Sequence, residues 1–196
     1  MAGEAQATIQ RLLGELDRGN RAALDELFPY VYQELSELAH RLRNRWHGDF
    51  TLDTTALIHE AYLKLVDRRR IRAHSRAHFL ALAAKAMRHI LINYARDRKA
   101  HKRGGASEKL PFDETKLTPG AAGLSSRQAD ELVALNEALR ALEKIDPRQS
   151  QVVECRFFGG MTVDETAAAV GISPRTVKRD WAMAQAWLHR QMEQLS

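Results

Sequence analysis

Apolar residues recur three and four positions apart through most of this chain, and that spacing puts them on one face of a helix. Leu24, Leu27, Val31, Leu35, Leu38 and Leu42 form one such stripe, with Asn20 as the expected cap and Pro29 as the expected kink. A second helix is expected over 53–67. A longer third one is expected from Ser75 to Ala100, with Phe79, Ala83, Ala86, Ile90 and Tyr94 on one side. The pattern resumes near Arg127, where Leu132, Leu135, Leu139 and Leu142 form a stripe that stops before Asp146-Pro147. No comparable alternating run argues for a strand, so the expected fold is all-α. Residues 104–126 hold four glycines and two prolines without a period and read as a flexible linker. The expected organisation is therefore two small helical domains, 1–103 and 127–196, and 196 residues suit two small cores better than one large one.

The sequence excludes several classes of protein. A single cysteine, Cys155, forbids an intramolecular disulfide framework and any multi-cysteine zinc site, and it is expected to be a small buried residue. No apolar run is long enough to cross a bilayer, and the amino terminus, MAGEAQATIQRLL, lacks the pattern of a signal peptide. A soluble, cytoplasmic protein is expected. Neither a glycine-rich phosphate loop nor a nucleophile-and-base signature is present, so no catalytic residue and no cofactor are expected.

The end of the chain carries the most specific local pattern. Thr162-Val163-Asp164-Glu165 has the form of a capping box that opens a short helix to about Val170. Gly171-Ile172-Ser173 follows, and Ser173 caps a new helix with Pro174 at its first position. Small Ala167, the turn glycine Gly171 and branched Val177 stand where a helix-turn-helix needs close packing, a left-handed turn and a buried side chain. Val177, Trp181, Ala184 and Leu188 share an inward face. Arg175, Thr176, Lys178 and Arg179 then point outward in the first turn, where a recognition helix meets base edges and phosphates. Trp181 and Trp187 are expected in the core, since duplex readout relies on base edges and not on stacking.

Charge is segregated along the chain. Residues 68–103 carry 12 basic side chains and one acidic one, a balance of +11, although the whole chain is only +5. Such an asymmetry points to a polyanion-binding surface. Lys85, Arg88, Arg96, Lys99 and Arg103 are expected along the outer side of the third helix, opposite its apolar stripe, able to track phosphates. Arg68, Arg69, Arg70, Arg72, His74 and Arg76 belong to the loop before it. Phe79 and Tyr94 fit the core face, which leaves no stacking platform for single strands. His74 and His78 are one turn apart, but a basic setting and the lack of a third ligand favour a surface or phosphate-contacting role over a metal.

Two helical domains, a linker, a basic helix and a terminal helix-turn-helix together resemble a bacterial extracytoplasmic-function (ECF) sigma factor over about residues 20–192. Leu57-Ile58-His59-Glu60-Ala61-Tyr62 matches the family's Leu-x-Gln-Glu-x-Phe, and Asn93-Tyr94-Ala95-Arg96 matches its Asp-x-x-Arg. Its closing region is matched by Val152-Val153-Glu154-Cys155-Arg156-Phe157 and Ser173-Pro174-Arg175-Thr176-Val177-Lys178. The resemblance implies a non-enzymatic subunit that binds core RNA polymerase, directs it to promoters and helps open the DNA. It implies that the first domain holds the β′ clamp helices and reads the minus-ten element through Arg72, Arg76, Lys85, Arg88, Asn93, Arg96, Lys99 and Arg103. The second domain would sit near the β flap and read the minus-thirty-five element through Arg175, Thr176, Lys178 and Arg179. On a helical wheel for 53–67, Leu57, Ile58, Ala61, Tyr62 and Leu65 face one way, and Ala56, His59, Glu60, Leu63 and Asp67 the other. An apolar Leu63 in a polar face suits a partner surface, so Asp53, His59, Glu60, Leu63 and Asp67 are the expected polymerase contacts.

The chain also departs from the family pattern. Where ECF sigma factors usually carry Asp-x-Glu-Asp-Leu, this sequence has Asp53-Thr54-Thr55-Ala56-Leu57, two carboxylates short. Phosphorylation of Thr55, or secondarily of Thr54, would restore negative charge at a helix amino terminus, which favours phosphate, while the bland role of these threonines is to cap the helix. Control would come from an anti-sigma factor or a Ser/Thr kinase. The alternative reading is a helix-turn-helix regulator that dimerises and binds a palindrome without polymerase. A helical adaptor with no DNA role is disfavoured by the charge segregation.

Overall fold

A computed structural model of the chain describes residues 2–45, 52–67, 71, 73–102 and 125–195. Among them are eight α-helices and no strand: α1 (Ala2–Asp17), α2 (Ala22–Arg45), α3 (Thr54–Val66), α4 (Arg76–Lys102), α5 (Ser126–Ile145), α6 (Pro147–Val153), α7 (Val163–Val170) and α8 (Pro174–Leu195). A π-helical turn, Glu154–Phe158, follows α6 directly. The linker expected over 104–126 lies mostly outside the described residues.

Local chemistry explains most helix ends. Asp53 caps α3, its Oδ1 accepting the Ala56 N–H at 2.6 Å, and Ser75 Oγ accepts the His78 N–H at 3.0 Å at the start of α4. Ser125 with Gln128 and Thr162 with Glu165 form reciprocal capping boxes on α5 and α7. Asp146 caps α6, which begins on Pro147. Asn20 is not a cap: its Nδ2 donates to Glu15 at 3.0 Å, and α2 begins two residues later and runs on through Pro29. Helix α1 is an addition to the sequence reading. Its Ile9, Leu12, Leu13 and Leu16 are all buried and it packs on α2.

The helix α4 is the axle of the molecule. Phe79, Ala83, Ala84, Ala86, Met87, Leu91, Ile92 and Ala95 are all buried, and they point around the helix in more than one direction. It packs against α2 and α3 on one side and against α5, α7 and the π turn on the other. One apolar cluster therefore runs from Ile9 through α4 to Leu142, Phe158, Ala184 and Leu188. The sequence suggests two small cores, but the second apolar side of α4 joins them. A smaller cluster of Val152, Ala167 and Val177 fills the helix-turn-helix, and Cys155, Met161 and Ala169 pack onto Ala77, Leu80 and Ala81 of α4.

Two glycines are required by geometry. Gly171 closes α7 at φ +75°, the left-handed turn that the helix-turn-helix needs. Gly159 follows the π turn so closely that an added Cβ would lie 2.6 Å from the Cys155 carbonyl oxygen.

Candidate nucleic-acid and polymerase interface

The helix-turn-helix is held by local contacts. Gly171 turns the chain, and the Ser173 hydroxyl accepts the Thr176 N–H at 3.2 Å and bonds its hydroxyl at 2.9 Å. Val177 and Ala184 are fully buried, Leu188 nearly so, and Trp181 is half-buried under the Arg156 guanidinium, which lies 5.7 Å from its ring centroid. Trp187 also packs against the main core. Burying that face leaves Arg175, Lys178 and Arg179 exposed on the first turns of α8, with Thr176 half-buried in the cap.

An ion pair with a buried carboxylate ties α8 to α6. Asp180 is 1% exposed and accepts from Arg148 Nε of α6 at 2.6 Å, with the Arg179 guanidinium 3.4 Å away. The hydrogen bond and charge of Asp180 raise Arg148 above its usual pKa. Nothing in the local sequence pattern marks Arg148 for this role, since it simply follows the proline of a helix start.

The basic side chains of α4 do not form the single outward strip expected from the sequence. Asn93 and Arg96 are exposed. Arg76 is paired with Glu34 of α2, and Lys85 Nζ lies 2.9 Å from Glu143 Oε1 of α5. Arg88 is only 3% exposed: it pairs with both carboxylate oxygens of Glu154 and donates to Asn136 Oδ1 at 2.6 Å. Its expected outer position is thus corrected, because the side of α4 opposite the first apolar stripe is covered by α5 and the π turn. Arg72 and Arg103 lie outside the described residues, as does the side chain of Lys99.

The first half also carries an exposed face of mixed chemistry. On α3, Leu57, Ile58, Ala61 and Leu65 are buried, while Asp53, His59, Leu63 and Asp67 are exposed and Glu60 is half-buried. Leu63 is 41% exposed. Tyr62 donates its hydroxyl to Asp25 and stands edge-on to Phe28, with centroids 5.0 Å apart, so aromatic surface continues from α3 onto α2. At the start of α3, Thr54 accepts from Arg43 at 2.9 Å while Thr55 is exposed. Asp53 does the capping, which leaves the Thr55 hydroxyl unused by the cap.

His74 and His78 stack with their Nδ1 atoms 2.7 Å apart, and burial together with His74 lowers the pKa of His78. Among the described residues no group of three side chains could hold a metal ion. Burial pushes the Cys155 thiol up to about 12. No described helix is long and apolar enough to cross a membrane.

Among the described residues these features define an all-helical protein that presents a helix-turn-helix. The model of the ECF sigma factor family matches residues 6–194, nearly the whole chain, and the chain belongs to that family. No curated protein and no solved structure matches it. It is accordingly a sigma factor of transcription initiation, from a family of non-enzymatic factors whose partners are core RNA polymerase and promoter DNA.

Proposed function

We propose that the two ends of the chain divide promoter recognition between them. The first part, to about residue 103, holds the β′ clamp helices and reads the minus-ten element. The part from about residue 127 sits by the β flap and reads the minus-thirty-five element, with 104–126 threading between them toward the active-site and RNA-exit region. The observation that carries this reading is the helix-turn-helix, whose second helix exposes Arg175, Lys178 and Arg179 on its first turns, where a major groove would meet them. Exposed Asn93 and Arg96 would continue the contact along the minus-ten strand, joined by Arg72, Arg76, Lys85, Arg88, Lys99 and Arg103 once the anionic partners of Arg76, Lys85 and Arg88 are exchanged for DNA.

The polymerase contact lies on α3. Leu63 among Asp53, His59, Glu60 and Asp67 gives an apolar anchor with a polar rim, the usual anatomy of a protein interface. Purified chain is expected to bind core RNA polymerase directly. Leu63→Arg should weaken that binding at least about tenfold, the effect of losing a modest anchor, while Arg175→Ala leaves it unchanged. Equal binding by all three proteins contradicts the assignment of this face.

Phosphorylation of Thr55 strengthens the same contact in this proposal. Thr55 is exposed in the first turn of α3, where backbone N–H groups and the helix dipole favour a phosphate. Arg43, whose Nε has no hydrogen-bond partner, already reaches the neighbouring Thr54. Thr54 is the secondary candidate because its hydroxyl accepts from Arg43. A Ser/Thr kinase would then be the regulatory partner, with an anti-sigma factor as the other candidate. Thr55→Glu should tighten core binding and Thr55→Ala should reduce promoter activity in cells. The switch is wrong if the first changes nothing and the second is fully active.

A further inference from the structure

Four cations from the first half of the chain are held by acceptors from the second. Arg88 of α4 is buried between Glu154 of the π turn and Asn136 of α5, with its guanidinium 5.3 Å from the centre of the Phe158 ring. Lys85 reaches Glu143 of α5 at 2.9 Å. From α2, Arg41 donates to the Gly159 carbonyl at 3.2 Å, and Arg45 donates to the Phe157 carbonyl with its guanidinium 4.1 Å from the centre of that ring. All four contacts converge on residues 136–159.

A carboxylate gripping a guanidinium through both oxygens offers the chemistry of a nucleic-acid phosphate, a bidentate anionic acceptor. We propose that Glu154 is the internal occupant of a phosphodiester-binding site at Arg88, so that the closed packing of the two halves and the binding of minus-ten DNA by Arg88 exclude each other. The proposal rests on the promoter reading above for its ligand and adds the regulation of that site. Exchange is chemically balanced: one anion replaces another at Arg88, and the Glu154 carboxylate returns to water. A buried ion pair suits such a latch. Desolvation offsets most of its attraction, so the pair gives little resistance to parting while both partners leave together, yet removing either one alone leaves a buried charge unpaired. The offset is visible at Glu154, where burial raises the carboxyl pKa against the pull of Arg88.

The test uses the full chain with fluorophores on Gln33→Cys of α2 and Gln185→Cys of α8, both exposed positions, with Cys155 buried. Single-molecule energy transfer on the free protein is expected to give one close population. Glu154→Gln should raise the separated fraction at least about tenfold, an equilibrium shift of one decade. The charge swap Arg88→Glu with Glu154→Arg should restore closure. Glu143→Lys, at the more exposed Lys85 contact, should shift the population in the same direction by less, and circular dichroism on each variant reports retained helix. An unchanged distance in both Glu154→Gln and Glu143→Lys, or a swap that does not restore closure, overturns the latch. These distances involve neither polymerase nor DNA. If they behave as stated while the native chain directs no transcript with core enzyme, the promoter reading fails and, with its ligand gone, the exchange at Arg88 is overturned, leaving only the closure of the two halves.

Discussion

Changing Arg175, Lys178 and Arg179 together to alanine is expected to abolish promoter-directed transcription with little effect on stability. The three side chains are exposed, and the inward face of α8 is built from other residues, Val177, Ala184 and Leu188 with Trp181. Asp180 keeps its partner Arg148 when Arg179 is removed, so no buried charge is stranded. Surface changes of this kind stay within about 0.5 kcal/mol. Each lost base contact, by contrast, costs about 1–3 kcal/mol of discrimination, and three together should lower promoter affinity at least a hundredfold, with each factor of ten worth about 1.4 kcal/mol. The salt dependence of holoenzyme binding should flatten by roughly one unit per lost phosphate contact. Promoter titrations at several salt concentrations check both effects, and native activity in the triple variant would remove α8 from promoter reading. Thr176 is left out of the set because its hydroxyl is engaged by Ser173.

The second large effect is expected at the buried pair. Arg88→Ala leaves the Glu154 carboxylate in a site 5% exposed, with its countercharge gone, and breaking a buried pair in this way costs about 3–5 kcal/mol. Replacing both partners by apolar residues, Arg88→Met with Glu154→Leu, removes the desolvation of two ions and should be neutral or stabilising by about 1–4 kcal/mol. Urea unfolding followed by circular dichroism separates the two cases. In the single variant the halves should also uncouple, which would split one unfolding transition into two. The apolar pair should hold the halves together yet fail at promoter opening, because it cannot exchange a carboxylate for a phosphate. Equal stability in the single and double variants would show that the Arg88 contact contributes nothing to the packing of the halves.

What could be read from the sequence follows from how local each signal is. The carboxy-terminal helices are legible because their boundaries rest on neighbours within four residues: Thr162 with Glu165, Gly171 at positive φ, Ser173 with Thr176, Asp146 before Pro147. The faces of α3 are legible for the same reason, its buried and exposed sets following a single period. Arg88 is not, because periodicity assigns a residue to a side of its own helix and cannot say what a helix many residues away lays over that side. Met87, Leu91 and Ile92 hinted at a second apolar face on α4, and that hint was the available signal that the basic side would be covered. Glu154 could be read only as part of a motif, since its partner lies 66 residues earlier in the chain. Helix α1 was within reach, since Ile9, Leu12, Leu13 and Leu16 carry the same spacing as the stripe that follows.

The segregation of charge changes meaning once these contacts are known. The +11 between residues 68 and 103 is not a uniformly open surface, for Arg76, Lys85 and Arg88 each already hold a carboxylate. Arg175 and Lys178 on α8 and Arg96 on α4 are exposed, and Arg179 is exposed beside Asp180 at 3.4 Å. Under the proposed latch Lys85 and Arg88 would become available as the halves part, while Arg76 is held by Glu34 within the first half.

Run-off transcription of sheared genomic DNA by purified core RNA polymerase, with and without this chain, tests the central claim most directly. Discrete transcripts are expected that appear only when the chain is added, and more strongly with Thr55→Glu. The absence of any chain-dependent transcript, with the native protein and with Thr55→Glu alike, would contradict it.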